Sequence, residues 1–325
     1  MPISGMTSFS LVKLMNSATV KPKIIIICGP TGIGKTAAAI DVAQHFNGQI
    51  VGADSMQIYK YMDIGTAKPT AEEQARVVHH MVDIVEPDEG FDAAQYAERA
   101  RAKIIELGEK QIRPFVVGGT GLYIKALLYG LFDAQVSDPK VRQRLKKETD
   151  AHGIEFLHER LSGLDPETAK RLHPNDTYRI LRALEVVEST GQAISTHHQK
   201  HGFLEQPFQS LRIGLCLDRD VLYERINQRV DAMMSAGFLD EVKGLLAKGY
   251  GADLKSMQSI GYRHMVDCLE DRLSWEECVR TIKRDHRRYA KRQLTWFGAD
   301  SEIIWKTPGQ VEEIKLLVEK FINED

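Results

Sequence analysis

The eight residues Gly29-Pro30-Thr31-Gly32-Ile33-Gly34-Lys35-Thr36 restrict the fold of this chain more than any other segment. They fit the pattern GxxxxGK[ST], and they separate an apolar run, Ile24–Cys28, from a helix predicted between Lys35 and Phe46. In such a strand–loop–helix unit, backbone N–H groups turn inward and surround phosphate oxygens, and the start of the helix adds further donors. The segment therefore predicts a binding site for a diphosphate or triphosphate group, formed by all eight residues.

Two side chains of this loop add to the prediction. Lys35 supplies a mobile cation, and the hydroxyl of Thr36 is placed to ligate Mg²⁺, which we expect as the cofactor. The alternative is a glycine-rich turn without a ligand, which the strand and helix on either side disfavour. The loop does not identify the reaction, because most loops of this kind hold ATP or GTP.

Strand and helix signals alternate on both sides of a central gap. Further strands are predicted at Gln49–Asp54, Met81–Ile84, Phe115–Val117, Leu211–Leu217 and Ile303–Trp305, with a helix at Ala93–Leu107. Alternation of this kind predicts an α/β fold, a P-loop NTPase-like parallel sheet flanked by helices.

The central gap has no strand signals. Between about residues 133 and 202, apolar residues such as Leu157, Leu161, Ile180 and Leu184 recur at helical spacing, which predicts an all-helical insertion domain. The predicted organisation is a flexible leader at 1–22, a first core segment at 23–132, the insertion at 133–202, and a second core segment at 203–325 that contains a basic helix.

Composition excludes several classes of protein. No apolar run approaches the about 20 residues of a membrane-spanning helix, and the leader lacks the apolar region of a secretory signal. The cysteines, at positions 28, 216, 268 and 278, lie far apart without a CxxC pair, which favours free thiols over disulfides or zinc. We therefore expect a cytoplasmic protein without a membrane partner.

Basic residues are concentrated near the carboxyl terminus. Although the net charge is −2, residues 280–292 hold seven lysines and arginines and one acid. At helical spacing, Arg284, Arg288 and Arg292 share one stripe, which could neutralise phosphates and make binding depend on salt. The aromatic residues Trp296 and Phe297, which follow, could either pack in the core or stack on a base. A solvated helix face is the alternative for the whole run.

Seven separated segments form a second pattern. They are GPTGIGKT at Gly29–Thr36, DSMQIYKYMDIGTAKP at Asp54–Pro69, HHMVDIVEPDE at His79–Glu89, GGTGLYIKALLYG at Gly118–Gly130, HPNDTYRILRALEV at His173–Val186, SIGY at Ser259–Tyr262 and AKRQLTWF at Ala290–Phe297. In this order they resemble the bacterial tRNA dimethylallyltransferase (tRNA isopentenyltransferase) family. The resemblance implies transfer of a dimethylallyl group from dimethylallyl diphosphate to N6 of the adenosine 3′-adjacent to the anticodon, with release of diphosphate.

The resemblance also implies catalytic roles. Asp54 lies at the carboxyl end of the second predicted strand, the edge at which open α/β sheets collect ligands, and would be the general base. Thr31, Lys35 and Arg229 would complete the catalytic set around the leaving diphosphate. Arg225 lies four residues before Arg229 and shares its helical face. The match with the family favours Arg229, so Arg225 and Arg219 are weaker candidates. A loop or cap aspartate is the alternative for Asp54.

Contacts with the anticodon stem-loop of tRNA are implied for a larger set of residues. They are Asp54, Ser55, Met56, Gln57, Thr120, Arg142, Arg179, Arg182, Lys291, Arg292 and Gln293. Gln57 could pair bidentately with an adenine edge. For Thr120 the alternative is a Gly-Gly turn that only reverses the chain. Gly298 stands where the family often has an arginine, so one phosphate contact differs from the family pattern.

Three other functions fit part of these observations. A P-loop kinase of a small metabolite or nucleotide would explain the loop and Asp54, and an RNA-binding regulator related to NTPases would explain tRNA binding without transfer. An isopentenyltransferase that acts on free adenine nucleotides would share the chemistry. The helical insertion and the basic helix favour a polymeric acceptor, and we expect the enzyme to act as a monomer.

Overall fold

The computed structural model describes residues 21–130, 139–196 and 206–324. It divides into an α/β unit, Met1–Leu128 with Gln206–Asp325, and a helical unit, Tyr129–Glu205. The predicted insertion boundaries at residues 133 and 202 lie outside the described residues, as do residues 1–20 of the predicted leader.

The α/β unit is built on a six-stranded sheet. Its strands are β1 (Lys23–Cys28), β2 (Gly48–Gly52), β3 (His79–His80), β4 (Arg113–Gly118), β5 (Gln209–Leu215) and β6 (Ile303–Lys306). They lie in the order β3-β2-β4-β1-β5-β6, and every neighbouring pair is parallel. Parallel sheets bury both faces, which is why β1 is apolar along almost its whole length. The predicted α/β fold with a parallel sheet is confirmed.

The named helices follow in chain order. They are α1 (Lys35–His45), α2 (Ala71–Arg76), α3 (Ala93–Glu109), α4 (Gly121–Tyr129), α5 (Pro139–His152), α6 (Ile154–Leu164), α7 (Pro166–Arg171), α8 (Thr177–Thr190), α9 (Arg219–Ser235), α10 (Phe238–Ala247), α11 (Tyr262–Leu269), α12 (Trp275–Gly298) and α13 (Val311–Asn323). Local signals explain several of their ends. Thr70 and Asp92, for example, each form a capping box at the start of α2 and α3, which satisfies backbone N–H groups that the helix cannot. Of the helices that the structure describes, none is long and apolar enough to cross a membrane.

The third strand lies earlier than predicted. The apolar run Met81–Ile84 was expected to form it, but the strand is His79–His80. Met81 and Asp83 have φ values of 63° and 54°, and a backbone in the left-handed region cannot continue a strand. Because the side chain of Met81 is only 7% exposed, its apolar character reflects burial in a turn. The predicted position of this strand is wrong.

The helical unit has a core of its own. Helices α5 to α8 pack around a cluster that includes Leu145, Leu161 and Leu184. Asp165 joins two segments of the unit, because its carboxylate accepts hydrogen bonds from the backbone N–H groups of Thr168 and Ser195, both at 3.0 Å. Burial by itself would raise the pKa of Asp165, but these hydrogen bonds outweigh burial and lower that pKa.

Candidate active site

The phosphate-binding pattern forms the loop between β1 and α1. Gly32 and Gly34 have φ values of 78° and 98°, which side-chain-bearing residues rarely adopt. A Cβ atom on Gly32 would also lie 2.8 Å from Cγ1 of Ile226. The ammonium of Lys35 donates a hydrogen bond of 2.8 Å to the carbonyl of Pro30, which closes the loop. The loop is therefore already folded into a cradle.

The electrostatics of Lys35 favour an anionic ligand. The pKa of Lys35 is lowered to about 8, mainly by burial; Asp54 opposes this shift and Arg229 adds to it. Two cations held close together in a partly buried place repel each other. A bound anion would relieve this repulsion and stabilise the charged form of Lys35.

Arg229 reaches the loop from α9. Its guanidinium donates to the hydroxyl of Thr31 at 3.2 Å and to the carbonyl of Thr66 at 3.3 Å. Its Nε–H is buried and has no partner among the described residues. The two other arginines considered from the sequence differ from it: Arg225 is exposed and donates to the carbonyl of Ile33, and Arg219 is exposed and lies over the ring of Tyr223.

Asp54 lies two residues after β2. Its Oδ1 accepts hydrogen bonds from the backbone N–H groups of Met56 at 2.8 Å and Gln57 at 3.3 Å. The carboxylate thus stabilises a turn, as the alternative interpretation proposed. Oδ2 has no donor among the residues that the structure describes. One oxygen of Asp54 is therefore fixed, while the other remains available to a ligand.

A second loop, between β4 and α4, is bonded to the Asp54 segment. The hydroxyl of Thr120 accepts from the N–H of Ser55 at 3.0 Å and donates to the hydroxyl of Ser55 at 3.3 Å. The N–H of Thr120 donates to the carbonyl of Ala53 at 3.0 Å. Thr120 therefore does more than reverse the chain: it holds the residue next to Asp54.

Two glutamines that were predicted to contact tRNA are engaged within the protein. Gln293 is 6% exposed; its Oε1 accepts from the N–H of Thr31 and its Nε2 donates to the carbonyl of Gly119, both at 2.8 Å. Nε2 of Gln57 donates to the carbonyls of Ala67 at 3.0 Å and Thr66 at 3.3 Å. Because both N–H groups of Gln57 are occupied, this conformation cannot form a bidentate adenine contact. We infer that Gln293 positions the phosphate loop.

These segments enclose a cavity of about 510 Å³. The eight-residue loop contributes Thr31, Gly32, Gly34, Lys35 and Thr36 to its lining. The catalytic candidates Asp54 and Arg229 line the same cavity, with Ser55, Met56, Gln57, Arg292 and Gln293. Thus the structure brings the predicted catalytic residues together at the carboxyl edge of the sheet.

The lining also includes residues that the sequence analysis did not name as site residues, among them Ser259, His286 and Tyr289. Ser259 Oγ and His286 Nε2 are buried without a partner among the described residues. Burial, together with Arg229, lowers the pKa of His286 to about 3, so its imidazole is neutral. Burial raises the pKa of Tyr289 to about 12, and its hydroxyl lies beside Thr120. The cavity therefore combines a cationic end with neutral polar groups.

A helical pattern could have identified two of these residues. His286, Tyr289 and Gln293 follow one another at spacings of three and four on α12, so they share the face of the helix that meets the cavity. The sequence analysis followed the more conspicuous basic stripe beside it.

The basic residues of α12 differ in whether an acidic side chain neutralises them. Asp285, the one acid of the run, accepts from Arg263 at 2.8 Å and from Arg284 at 2.9 Å. Lys291 and Arg292 are exposed, and Arg292 lies 5.6 Å from the ring centre of Tyr289. Asp285 also lies 3.8 Å from the exposed Arg288, so its negative charge offsets part of the predicted stripe.

The three arginines predicted to bind tRNA in the helical unit also differ. Arg142 is exposed and lies 5.9 Å from the ring centre of Tyr178. Arg179 is exposed but pairs with Asp176 at 2.9 Å, and Arg182 pairs with the buried Glu185 at 2.9 Å. Arg182 thus has a structural task within the unit.

Metal binding at this site would depend on the ligand. Within the described parts of the chain, no three histidine, cysteine or acidic side chains are grouped so that they could hold an ion. Magnesium commonly takes one or two protein oxygens and completes its shell with phosphate oxygens and water. Thr36, which lines the cavity next to Lys35, fits that pattern as a single hydroxyl ligand.

Comparison with protein families identifies one match. The family described as IPP transferase matches residues 57–300. Among curated relatives, a tRNA dimethylallyltransferase from Desulfosudis oleivorans is 55% identical over 304 residues, which cover 93% of this chain and 97% of the relative. Another from Desulfatibacillum aliphaticivorans is 50% identical over 303 residues, covering 93% and 99% of the two chains.

Solved structures give the same result. A full-length tRNA isopentenylpyrophosphate transferase from Bacillus halodurans is 39% identical, with a TM-score of 0.70, and the match covers 93% of this chain and 97% of that one. A eukaryotic dimethylallyltransferase acting on tRNA is 27% identical, with a TM-score of 0.76, covering 92% and 77% of the two chains.

Proposed function

The chain belongs to the IPP transferase family, and on that premise we propose that it transfers a dimethylallyl group from dimethylallyl diphosphate to N6 of the adenosine 3′-adjacent to the anticodon of tRNA. Its relatives, matched over nearly their whole length, are tRNA dimethylallyltransferases, so the chain is an enzyme of tRNA modification. The observation that supports the mechanism is that the phosphate loop and Asp54 line one cavity.

The donor's diphosphate would bind in the loop Gly29–Thr36. Lys35 and Arg229 would neutralise it, and the unpartnered Nε–H of Arg229 would gain a phosphate oxygen as acceptor. Stabilising the negative charge that develops as the C–O bond breaks makes diphosphate a better leaving group. Magnesium, when bound at Thr36 and the phosphate oxygens, would supply further neutralisation.

The acceptor would enter as an unstacked base, because N6 cannot be reached while the adenine is stacked. N6 attacks the allylic carbon, so the N–C bond forms as the C–O bond breaks and diphosphate departs. The proton leaves N6 for Oδ2 of Asp54, the oxygen that no described residue uses, while Oδ1 stays fixed by two backbone N–H groups. No covalent enzyme intermediate is required.

A polymeric acceptor is supported by the surface of α12. Exposed Lys291 and Arg292 lie at the end of the helix that carries Tyr289 and Gln293 into the cavity. Cations at a cavity mouth can bind the phosphates of the nucleotides on either side of a target base, and a free nucleotide has no such neighbours. We propose that one copy of the chain acts alone and that it works in the cytoplasm.

Labelled substrates test this function. The purified protein with magnesium is given dimethylallyl diphosphate and tRNA in one reaction, and ATP with small-molecule acceptors in another. We expect prenylated tRNA and no phosphorylated product. Phosphoryl transfer from ATP without use of the isoprenoid would support the kinase alternative, and tRNA retention without any product would support the regulator.

A further inference from the structure

Trp296 is a large aromatic residue that the mechanism above does not use. It lies near the end of α12, and its side chain is 44% exposed, whereas the adjacent Phe297 is 3% exposed and belongs to the core. The two aromatic residues, which the sequence analysis considered together, therefore have different environments. Tryptophan side chains can serve as surfaces on which nucleic-acid bases stack.

The position of the indole relative to the cavity is fixed by close packing. A Cβ atom on Gly121 would lie 2.1 Å from Nε1 and 2.2 Å from Cδ1 of Trp296, so the edge of the ring rests on the backbone of Gly121. Gly121 follows Thr120, whose hydroxyl bonds to Ser55 beside Asp54. One turn earlier on α12, Gln293 is bonded to both the phosphate loop and Gly119. The indole therefore has a defined place against the Thr120 loop, which is bonded to the segment that carries Asp54.

The surface around Trp296 is basic. Arg292 and Arg288 precede it by four and eight residues, which places the three side chains on one stripe of α12. Both arginines are exposed, Arg288 to 65% of its side chain, and Arg288 also lies 3.8 Å from the carboxylate of Asp285. Leu122, also exposed, adds apolar surface next to Gly121. Cations for the backbone and an aromatic face for a base are the two elements of a site for single-stranded nucleic acid.

We propose that Trp296 is a stacking platform for one of the two nucleotides that flank the target adenosine, with Arg292 and Arg288 binding phosphates of the same strand. When the adenosine leaves the stack to enter the cavity, each neighbour loses a stacking partner. The indole replaces that partner and holds the strand in its opened conformation. Trp296 is thus a positioning residue, and the inference rests on the proposed function.

The test compares Trp296→Ala with Trp275→Ala. Trp275 is 41% exposed and lies at the opposite end of the same helix, so it controls for loss of an exposed indole. We expect Trp296→Ala to raise KM for an anticodon stem-loop about tenfold, in the range of base–aromatic stacking, and to leave diphosphate binding unchanged. Trp296→Phe should restore most of the affinity, and Trp275→Ala should behave as the wild type.

An abasic substitution separates stacking from a structural effect. Each flanking nucleotide of the stem-loop is replaced in turn by an abasic one, and binding is measured with both proteins. At one of the two flanking positions, the abasic nucleotide should lower the affinity of the wild type. The same abasic nucleotide should lower the affinity of Trp296→Ala little further, because the substitution has already removed the same contact. Additive losses at both positions, or a KM unchanged by Trp296→Ala, would overturn the inference.

Two further results keep this inference separate from the proposed function. If Trp296→Ala does not fold, Trp296→Phe and fluorescence of 2-aminopurine at the flanking positions replace it, and unquenched fluorescence in the wild-type complex counts against stacking. A wild-type protein that binds the stem-loop but never prenylates it would instead contradict the proposed function.

Discussion

The α/β unit and the helical unit hold their polar side chains in different ways. In the α/β unit, Asp54, Thr120 and Gln293 are bonded to backbone groups of neighbouring loops. In the helical unit, charged side chains pair mainly with one another: Arg144 and Arg160 both contact Glu148 and Glu188. Backbone bonds fix a side chain at one point, whereas the arginines of these ion pairs are partly exposed and share the same two carboxylates.

This difference suggests how each unit contributes to function. A side chain fixed by the backbone can hold a reacting atom in place, so its loss should affect the chemical step. A partly exposed charge contributes a small, salt-dependent share of binding. We therefore expect single substitutions in the first unit to reduce turnover, and substitutions in the second unit to change stability or RNA affinity.

The largest effect is expected at the carboxylate. Asp54→Asn keeps an oxygen for the N–H groups of Met56 and Gln57 but cannot accept the proton, so kcat should fall about 10²- to 10⁴-fold. The affinity for an anticodon stem-loop, measured by filter binding, should stay unchanged. Asp88→Asn, an exposed aspartate of the same unit, is the control. Near-normal turnover in Asp54→Asn would exclude it as the base.

Arg229 should come next. Arg229→Gln removes a cation that contacts Thr31, and loss of one such group at developing charge costs about 10²- to 10³-fold in kcat. The matched variant is Arg219→Gln, on the same helix but exposed, which should remain within about twofold of the wild type, as surface changes usually do. Equal losses in the two variants would argue against a specific contact with diphosphate.

A core substitution in the helical unit should distinguish the contributions of the two units. Leu161→Ala removes buried side-chain volume from the helical unit and should destabilise it by about 2–5 kcal/mol. Hydrogen exchange should accelerate in α6 and α8, and KM for tRNA should rise, while the affinity for diphosphate is retained. Leu164→Ala, on the same helix but 45% exposed, is the control. Loss of diphosphate binding in Leu161→Ala would mean that the units do not act separately.

The pH dependence of diphosphate binding reports on Lys35, whose pKa is about 8 in the free protein. An anion stabilises the charged amine, so the pKa rises in the complex. Below pH 8 the amine is charged in both states and contributes no pH dependence. Above it, binding requires uptake of a proton, and affinity should fall up to about tenfold per pH unit. Calorimetry on Lys35→Arg, whose side chain stays charged, corrects for ionisation of the ligand. Identical profiles of diphosphate affinity against pH in the wild type and in Lys35→Arg would contradict the assignment of this pH dependence to Lys35.

The smallest effect is expected for an exposed arginine of the helical unit. Arg142→Ala should reduce the slope of log affinity against log salt by about 0.7–0.9, the value for one phosphate contact. Arg182→Ala should instead lower the unfolding temperature of the unit, because Arg182 pairs with the buried Glu185. A salt slope that changes only in Arg182→Ala would reverse these roles.

Local patterns predicted much of the fold and the loop. The succession of β1, the loop Gly29–Thr36 and α1 can be recognised from residues that are neighbours in the sequence, and the burial of β1 can be recognised from its apolar run. The apolar run Met81–Ile84 did not predict the position of β3, because Met81 is apolar for its burial within a turn and not for a place in the strand. Likewise, the cavity-facing side of α12 depends on where the helix packs against distant loops, so His286 and Tyr289 were missed.

The most direct test of the account is a crystal structure with magnesium, diphosphate and an anticodon stem-loop. The account predicts diphosphate within Gly29–Thr36, with an oxygen on Nε of Arg229, and N6 of the target adenosine within about 3.2 Å of Oδ2 of Asp54. A diphosphate bound outside the loop, or an adenine that remains stacked away from Asp54, would contradict it.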